Sequence, residues 1–467
     1  MKKAFIETYG CQMNISDTEL MHGILAEDGF VAAESPEDAD VVLVNTCAIR
    51  DHAEQRVIGR VGQLQQLRES RPGMVIGVTG CMAQRLGDKL LGQAGGVDLV
   101  MGPDAYRKLP EALRALRPAA DDAPMTRPAM ALPVISPVTT NRGTNDGLAV
   151  LDFDPFENYE GVTARRTSAV SAWIPVQRGC NYRCTYCIVP YVRGDEKNRA
   201  PGEILAEIRA LAAEGVPEVT LLGQTVNSYR HGDWGFPRLL REVAHIDGIR
   251  RVRFTSPHPN DFTRELVDVM ASEPNVCEQL HLPVQSGHDR TLKRMLRRYT
   301  VEAYLEKIEW VRKAIPGISL STDIIVAFPG ETDDEYEATL DLMRTVRFDE
   351  AFTYRYSLRD GTPATRFRAD QFIADDVAQA RLERLIELQR GIQAEINRAD
   401  VGREVEVLVE KEARRGGLQG RTESNKVVTF DGPLGLIGGF ETVRLTSTTG
   451  ATFAGEIAAR MPVQRVA

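Results

Sequence analysis

The chain has 467 residues, of which 43% are hydrophobic and 26% charged, and a net charge of −9. That length exceeds the roughly 250–300 residues at which a single hydrophobic core stops growing, so two or three domains are expected. The composition fits a folded soluble protein and excludes a disordered, collagenous or membrane-spanning chain, while the acidic balance argues against indiscriminate nucleic-acid binding and leaves room for a local basic patch.

The opening stretch, Met1 to Tyr9, meets an acidic residue and a tyrosine before any signal-length apolar run, which reads as cytoplasmic. Short apolar runs at 4–9, 41–44, 74–78 and 97–100 then alternate with helical patterns. Such alternation predicts a parallel sheet with helices on its faces. Between about Pro118 and Ala172 the pattern dissolves into Pro, Ala, Thr, Asn and Gly, and a linker is placed at 118–165. Strands are expected next at 173–178, 218–223, 250–255, 277–283, 318–327 and 351–356, which with their intervening helices suggest a partial (β/α) barrel. A long amphipathic helix follows at about 376–397, carrying Leu382, Leu385, Ile386, Ile392 and Ile396 near helical spacing. After Gly402 alternating β-branched residues and glycine turns, as in 405–409 and 426–430, predict a small all-β barrel of about 60 residues.

Seven cysteines in a chain without a secretory signal point to ligands or catalysts before disulfides. Cys180-x3-Cys184-x2-Cys187 follows the first expected barrel strand, at the catalytic edge of such a fold. Three close thiolates on a 4Fe-4S cubane leave one iron open to another ligand. Zinc would want a fourth Cys or His in a second paired motif, and no further C-x2-C occurs; free thiols are the other alternative. Cys11, Cys47 and Cys81 each directly follow one of the first three expected strands, so they share one sheet edge and can converge on a second cluster. Three buried apolar thiols are the alternative there. Cys277, inside an expected strand, reads as a structural thiol.

The three-cysteine loop on a partial barrel resembles the radical-SAM superfamily, and with the N-terminal triad and the C-terminal barrel the chain resembles the methylthiotransferase family. The phrases that carry this are Glu7 to Asn14, Asn45-Thr46-Cys47, Gly179-Cys180-Asn181, Cys187 to Tyr191, Arg193-Gly194, His281 to Gly287 and Asp323 to Thr332. Ala327 stands where the family usually has glycine, and a small local adjustment is expected. Leu222 to Tyr229, with Thr225 in place of the usual Asn, and Thr255 to Pro259 resemble the branch acting on N6-isopentenyladenosine in tRNA.

The resemblance implies an α/β chain with an N-terminal open parallel-sheet domain at 1–117, a partial (β/α)6 radical-SAM core at 166–399 and a small all-β TRAM barrel at 400–463 that binds RNA. It implies two 4Fe-4S clusters, one on Cys180, Cys184 and Cys187 that binds S-adenosylmethionine (SAM), and an auxiliary one on Cys11, Cys47 and Cys81. One SAM would methylate a sulfur on the auxiliary cluster and another would yield the radical that lets the methylthio group join adenine C2, just 3′ of the anticodon. An aromatic C–H offers no acidic proton, so a cofactor must carry that step.

Tyr186, Gly223, Gln224, Gln285, Ser286 and Asp323 are the expected SAM contacts, and Arg414, Arg415, Arg421 and Lys426 the expected RNA contacts. Residues 402–467 hold nine Lys or Arg against eight Asp or Glu, a local departure from the acidic average. A second basic run, Arg290, Lys293, Arg294, Arg297 and Arg298, would present cations near the catalytic mouth. The expected partners are the tRNA anticodon stem-loop and a reductant such as flavodoxin or ferredoxin, with no membrane and a monomeric chain. Methylthiolation of threonylcarbamoyladenosine or of a ribosomal-protein aspartate, and a non-catalytic iron-sulfur RNA-binding protein, are the competing readings.

Overall fold

The computed structural model describes residues 1–48, 51–93, 96–116, 147–166 and 168–458. The chain forms two compact units: Met1–Thr167 with Arg178–Tyr182 and Cys187–Lys197, and Ser168–Gln177 with Arg183–Tyr186 and Asn198–Ala467.

In the first unit six parallel strands run in the order Val31–Ala32, Lys3–Tyr9, Val41–Thr46, Val75–Gly80, Leu99–Met101, Leu148–Val150. Val41–Thr46 and Val75–Gly80 are buried along their whole length, as central strands covered on both faces require. Alternate residues feed two cores. Leu43, Val75, Leu99 and Met101 pack with Leu20, Ile24 and Leu113 on one face, and Val42, Val44, Ile76 and Val78 with Val57, Val61 and Leu64 on the other. Tyr9 pairs with Thr46 and Thr46 with Gly80, so three strands end level with one another. The strand expected at 97–100 starts later, at Leu99.

Leu148–Val150 corrects part of the linker reading, because it forms the sixth strand beside Leu99–Met101. Three apolar residues are too short to raise a periodic signal, and an edge strand needs only one partner. Residues 118–146 of that linker, and 459–463 of the expected TRAM segment, lie outside the described residues.

In the second unit six parallel strands form an open arc. Ser171–Pro175, Glu218–Leu222 and Arg251–Phe254 make one half and Gln279–His281, Ser319–Val326 and Glu350–Arg355 the other, with a Val252–Val276 bridge leading from one toward the next. Outward residues such as Val219, Leu221, Val252, Leu320 and Ile324 join one large core with the surrounding helices. The expected 277–283 strand shrinks to Gln279–His281. The long helix spans Asp375–Asp400, and five strands after it close into a barrel: Glu404–Glu412, Leu418–Thr422, Val427–Phe430, Phe440–Thr448 and Phe453–Ile457. Its core is Val407, Val409, Leu418, Val428, Phe430, Val443, Leu445 and Phe453.

Candidate functional site

The level strand ends of the first unit bring three thiols to one place. Cys11 caps the helix Gln12–Glu27, Cys47 follows Thr46 with its N–H donating to Tyr9 O at 2.9 Å, and Cys81 opens the helix Cys81–Leu86. Close approach explains the glycines: a Cβ on Gly10 would lie 3.0 Å from Cys47 Cβ, and Gly80, at φ +90°, would meet Thr46 O at 2.5 Å. Beneath the thiols Asn14 and Asn45 are fully buried and bonded to each other at 3.2 Å, and Cys11 Sγ donates to Asn14 Oδ1 at 3.3 Å. A hydrogen bond from Cys47 lowers the Cys11 thiol to about 6 against the opposing effect of burial, with Arg193 acting in the same direction as Cys47. Burial pushes the Cys81 thiol up, among Ala48, Ile188 and Val192.

The charges around this place are uneven. Asp17, fully buried, takes Arg193 Nη2 at 2.6 Å and Arg178 Nη2 at 2.7 Å, and Arg193 Nε donates to Cys81 Sγ at 3.1 Å. The two guanidinium groups hold the Asp17 carboxyl below its usual range despite burial. Lys197 pairs with Asp104 at 2.6 Å, so three buried cations face two carboxylates. Arg178 Nη1 and Arg193 Nη1 are buried donors with no acceptor among the described residues. A largely buried place with surplus positive charge and three thiols suits an anionic thiolate-bound cluster. Among the described residues no three Cys, His, Asp or Glu are placed to hold a single metal ion; a cubane takes one thiolate per iron.

Of the loop cysteines, Cys180 and Cys187 belong to the first unit and Cys184 to the second. In the first, Cys180 N–H donates to Gly194 O at 3.1 Å, and Gly179, at φ +76°, lies so close to Asp195 that a Cβ would stand 2.0 Å from its carbonyl oxygen. Cys187 precedes the short helix Val189–Val192. In the second, Arg297 Nη1 donates to Cys184 Sγ at 3.5 Å, and Thr185 is fixed by its N–H to Met295 O at 3.1 Å. Arg297 thus departs from the expected basic face. It is buried, donating also to Pro283 O and Tyr299 Oη, while Arg294 is bound to Glu335. Cys277 is buried with its thiol pushed up to about 12 by desolvation.

At the C-terminal ends of the arc, Tyr186 stands edge-on to Phe328 at 6.4 Å. A Cβ on Gly223 would lie 2.8 Å from Val226 Cα, and Gln224 Oε1 is buried with no donor among the described residues, an acceptor that an ammonium group would satisfy. Two expected contacts are placed differently. Asp323 lies inside its strand, 3.6 Å from His281, and does not end it. Gln285, at φ +73°, turns the chain so that the fully buried Ser286 hydroxyl meets Thr339 Oγ1 at 3.4 Å and is taken up by packing.

Of the four expected RNA contacts, Arg414 and Arg415 are exposed in the turn after Glu404–Glu412. Arg421 instead pairs with Glu410 at 3.1 Å, and Lys426 with Asp400 at 2.8 Å and Asp349 at 3.1 Å. Those two pairs turn Lys426 inward. The sequence reading missed Asp17, Arg178 and Arg193 as site residues and gave Arg297 only as one cation of a basic run near the catalytic mouth. Only Arg193 lay in a recognisable phrase, and no local pattern joins an acid near the N-terminus to arginines of a distant loop.

Residues 174–343 match the Radical SAM superfamily, 3–102 the family described as Uncharacterized protein family UPF0004, and 398–458 the TRAM domain. A solved radical S-adenosylmethionine methyltransferase, TsrM from Kitasatospora setae, shares the fold at TM-score 0.55 and 17% identity over 79% of this chain and 78% of that one. Arc, cysteine loop and match together define a radical-SAM protein. Curated relatives narrow this. The tRNA-2-methylthio-N(6)-dimethylallyladenosine synthase of Chlorobium limicola is 42% identical over 98% of both chains, and that of Saccharopolyspora erythraea 43% identical over 93% of this chain and 84% of its own. The chain belongs to the tRNA-2-methylthio-N(6)-dimethylallyladenosine synthase family.

Proposed function

We propose that this chain is the radical-SAM methylthiotransferase that adds a methylthio group to C2 of N6-isopentenyladenosine, just 3′ of the anticodon in tRNA, using two 4Fe-4S clusters. The observation that carries it is the gathering of Cys11, Cys47 and Cys81 at level strand ends beside the surplus charge of Arg178 and Arg193, in a chain that also holds a radical-SAM core. Cys180, Cys184 and Cys187 would hold the cluster that binds SAM, which when bound supplies a 5′-deoxyadenosyl radical. Gly223 lets the chain pack closely against Val226 at the strand end, Gln224 offers its free acceptor to the SAM ammonium, and Tyr186 and Gln285 flank that edge. Arg297 donates to Cys184 and fixes the loop that carries it.

Arg414 and Arg415 are the phosphate contacts of the TRAM barrel, since flexible exposed arginines suit an RNA backbone. A loop adenosine needs little unstacking to reach an active site. The chain works as a cytoplasmic monomer supplied with electrons by flavodoxin or ferredoxin; no described helix is long and apolar enough to cross a membrane.

Mass spectrometry of tRNA nucleosides tests this in a strain lacking the gene. Methylthio-isopentenyladenosine is expected to vanish and to return with the wild-type chain. An unchanged level would overturn the reading, and loss of methylthio-threonylcarbamoyladenosine, or of a modified ribosomal aspartate, would reassign the substrate. Cys47→Ala is expected to leave SAM cleavage intact, abolish methylthio product and lower iron to about one cluster. SAM cleavage by the reduced wild-type protein excludes a merely structural iron-sulfur binder.

A further inference from the structure

Two guanidinium groups on one buried carboxylate would be a poor arrangement if nothing else were there. Burying an uncompensated charge is costly, as breaking a buried pair is. Asp17 satisfies one charge of Arg178 and Arg193, and Arg193 turns its Nε to Cys81 Sγ at 3.1 Å. Arg178 lies over the Tyr159 ring at 4.8 Å, farther along the same network. Lys197 is already matched by Asp104. An oxidised four-iron core on three thiolates carries one net negative charge, which is the charge this pocket lacks.

We propose that Arg193 is a positioning residue for the auxiliary cluster: its guanidinium, oriented by Asp17, donates to the Cys81 sulfur and sets the cluster's reduction potential. The inference rests on the auxiliary-cluster reading above. A cation at a ligand sulfur favours the form with one more electron, and the hydrogen bond to that sulfur acts in the same direction. Asp17 works against it by screening the charge. Opposite substitutions therefore have opposite effects. Loss of Arg193 makes the cluster harder to reduce, and loss of the Asp17 charge makes it easier.

The test is a redox titration followed by electron paramagnetic resonance on the full chain carrying Cys180→Ala, Cys184→Ala and Cys187→Ala, so that one cluster is observed. Arg193→Met is expected to lower the midpoint by about 59 mV, tenfold for one electron, Arg193→Lys to stay near the parent, and Asp17→Asn to raise it. Iron content is measured for each. Midpoints unchanged within error, or shifted the same way by Arg193→Met and Asp17→Asn, overturn the inference. Should Arg193→Met fail to hold iron, the rise in Asp17→Asn and the parent-like Arg193→Lys decide. A parent that binds no cluster overturns the auxiliary-site reading itself, and that failure is distinct from the others.

Discussion

Ala327 occupies the left-handed region at φ +58°, just past the strand Ser319–Val326, with its N–H held by Glu331 Oε2 at 2.7 Å. An L-residue there costs about 1 kcal/mol that glycine avoids. Ala327→Gly is expected to stabilise the chain by up to about 1 kcal/mol, read as a higher melting temperature with SAM cleavage unchanged. His258 makes the complementary case in acid. Burial, then Arg297 and Arg298, lower its imidazole to about 2, and its Nδ1 accepts the Asn260 N–H at 3.1 Å. The unfolded chain takes up a proton near pH 6.5 that the folded chain refuses, so stability is full above that pH and falls as pH drops toward 2. Between pH 7 and 5.5 the wild type should lose about 1 kcal/mol more than His258→Asn in urea unfolding at the two pH values. Cys11, Cys47 and Cys81 were legible in the sequence because each directly follows an expected strand, and Cys180, Cys184 and Cys187 because of their close spacing. Arg193 and Asp17 were not, because a buried ion pair joins residues that no local period connects.

The long helix was legible through its apolar face, whereas the capping of helix ends shows only in the structure. Thr332 accepts the Glu335 N–H and Glu335 returns a bond to the Thr332 N–H, capping Asp333–Val346. The same Glu335 receives Thr291 Oγ1 at 3.1 Å and Arg294, tying the helix Asp289–Arg294 to it. Thr332→Ala is therefore expected to cost about 1 kcal/mol, and Glu335→Ala about 3 kcal/mol because Arg294 is left without its carboxylate; chemical denaturation ranks the two. Equal losses would mean that the cap alone matters. Short strands were the least legible elements. Val31–Ala32 and Leu148–Val150 contain too few residues for a period to show, and their pairing is set by the strand beside them.

At the scale of the whole molecule, the C-terminal barrel is built into the second unit by main-chain acceptors. Arg251 donates to Arg421 O at 2.8 Å and Glu406 O at 2.9 Å, and Arg253 to Thr422 O at 2.8 Å and Glu423 O at 2.7 Å, with Glu218 at 3.1 Å from its Nε. Both arginines are buried. Sequence composition had marked 400–463 as a separate module with free basic turns, and side-chain chemistry alone could not show that one of those turns faces inward. A chain ending at residue 403 would leave two buried guanidinium groups short of partners. Its radical-SAM core is expected to melt several degrees lower than in the full chain, and Arg253→Ala to cost about 2–4 kcal/mol in the full chain, both followed by calorimetry. A truncated core melting at the full-length temperature would show that the barrel contributes nothing to it.

Because the arginines grip carbonyl oxygens of 421–423, that turn is read first by the path of its backbone. A single inserted or deleted residue there would slide every acceptor out of reach, and Thr422, whose buried hydroxyl accepts the Lys426 N–H at 3.0 Å, adds a side-chain requirement of its own. The turn is thus constrained in length above all, a pattern that comparison of gaps would reveal.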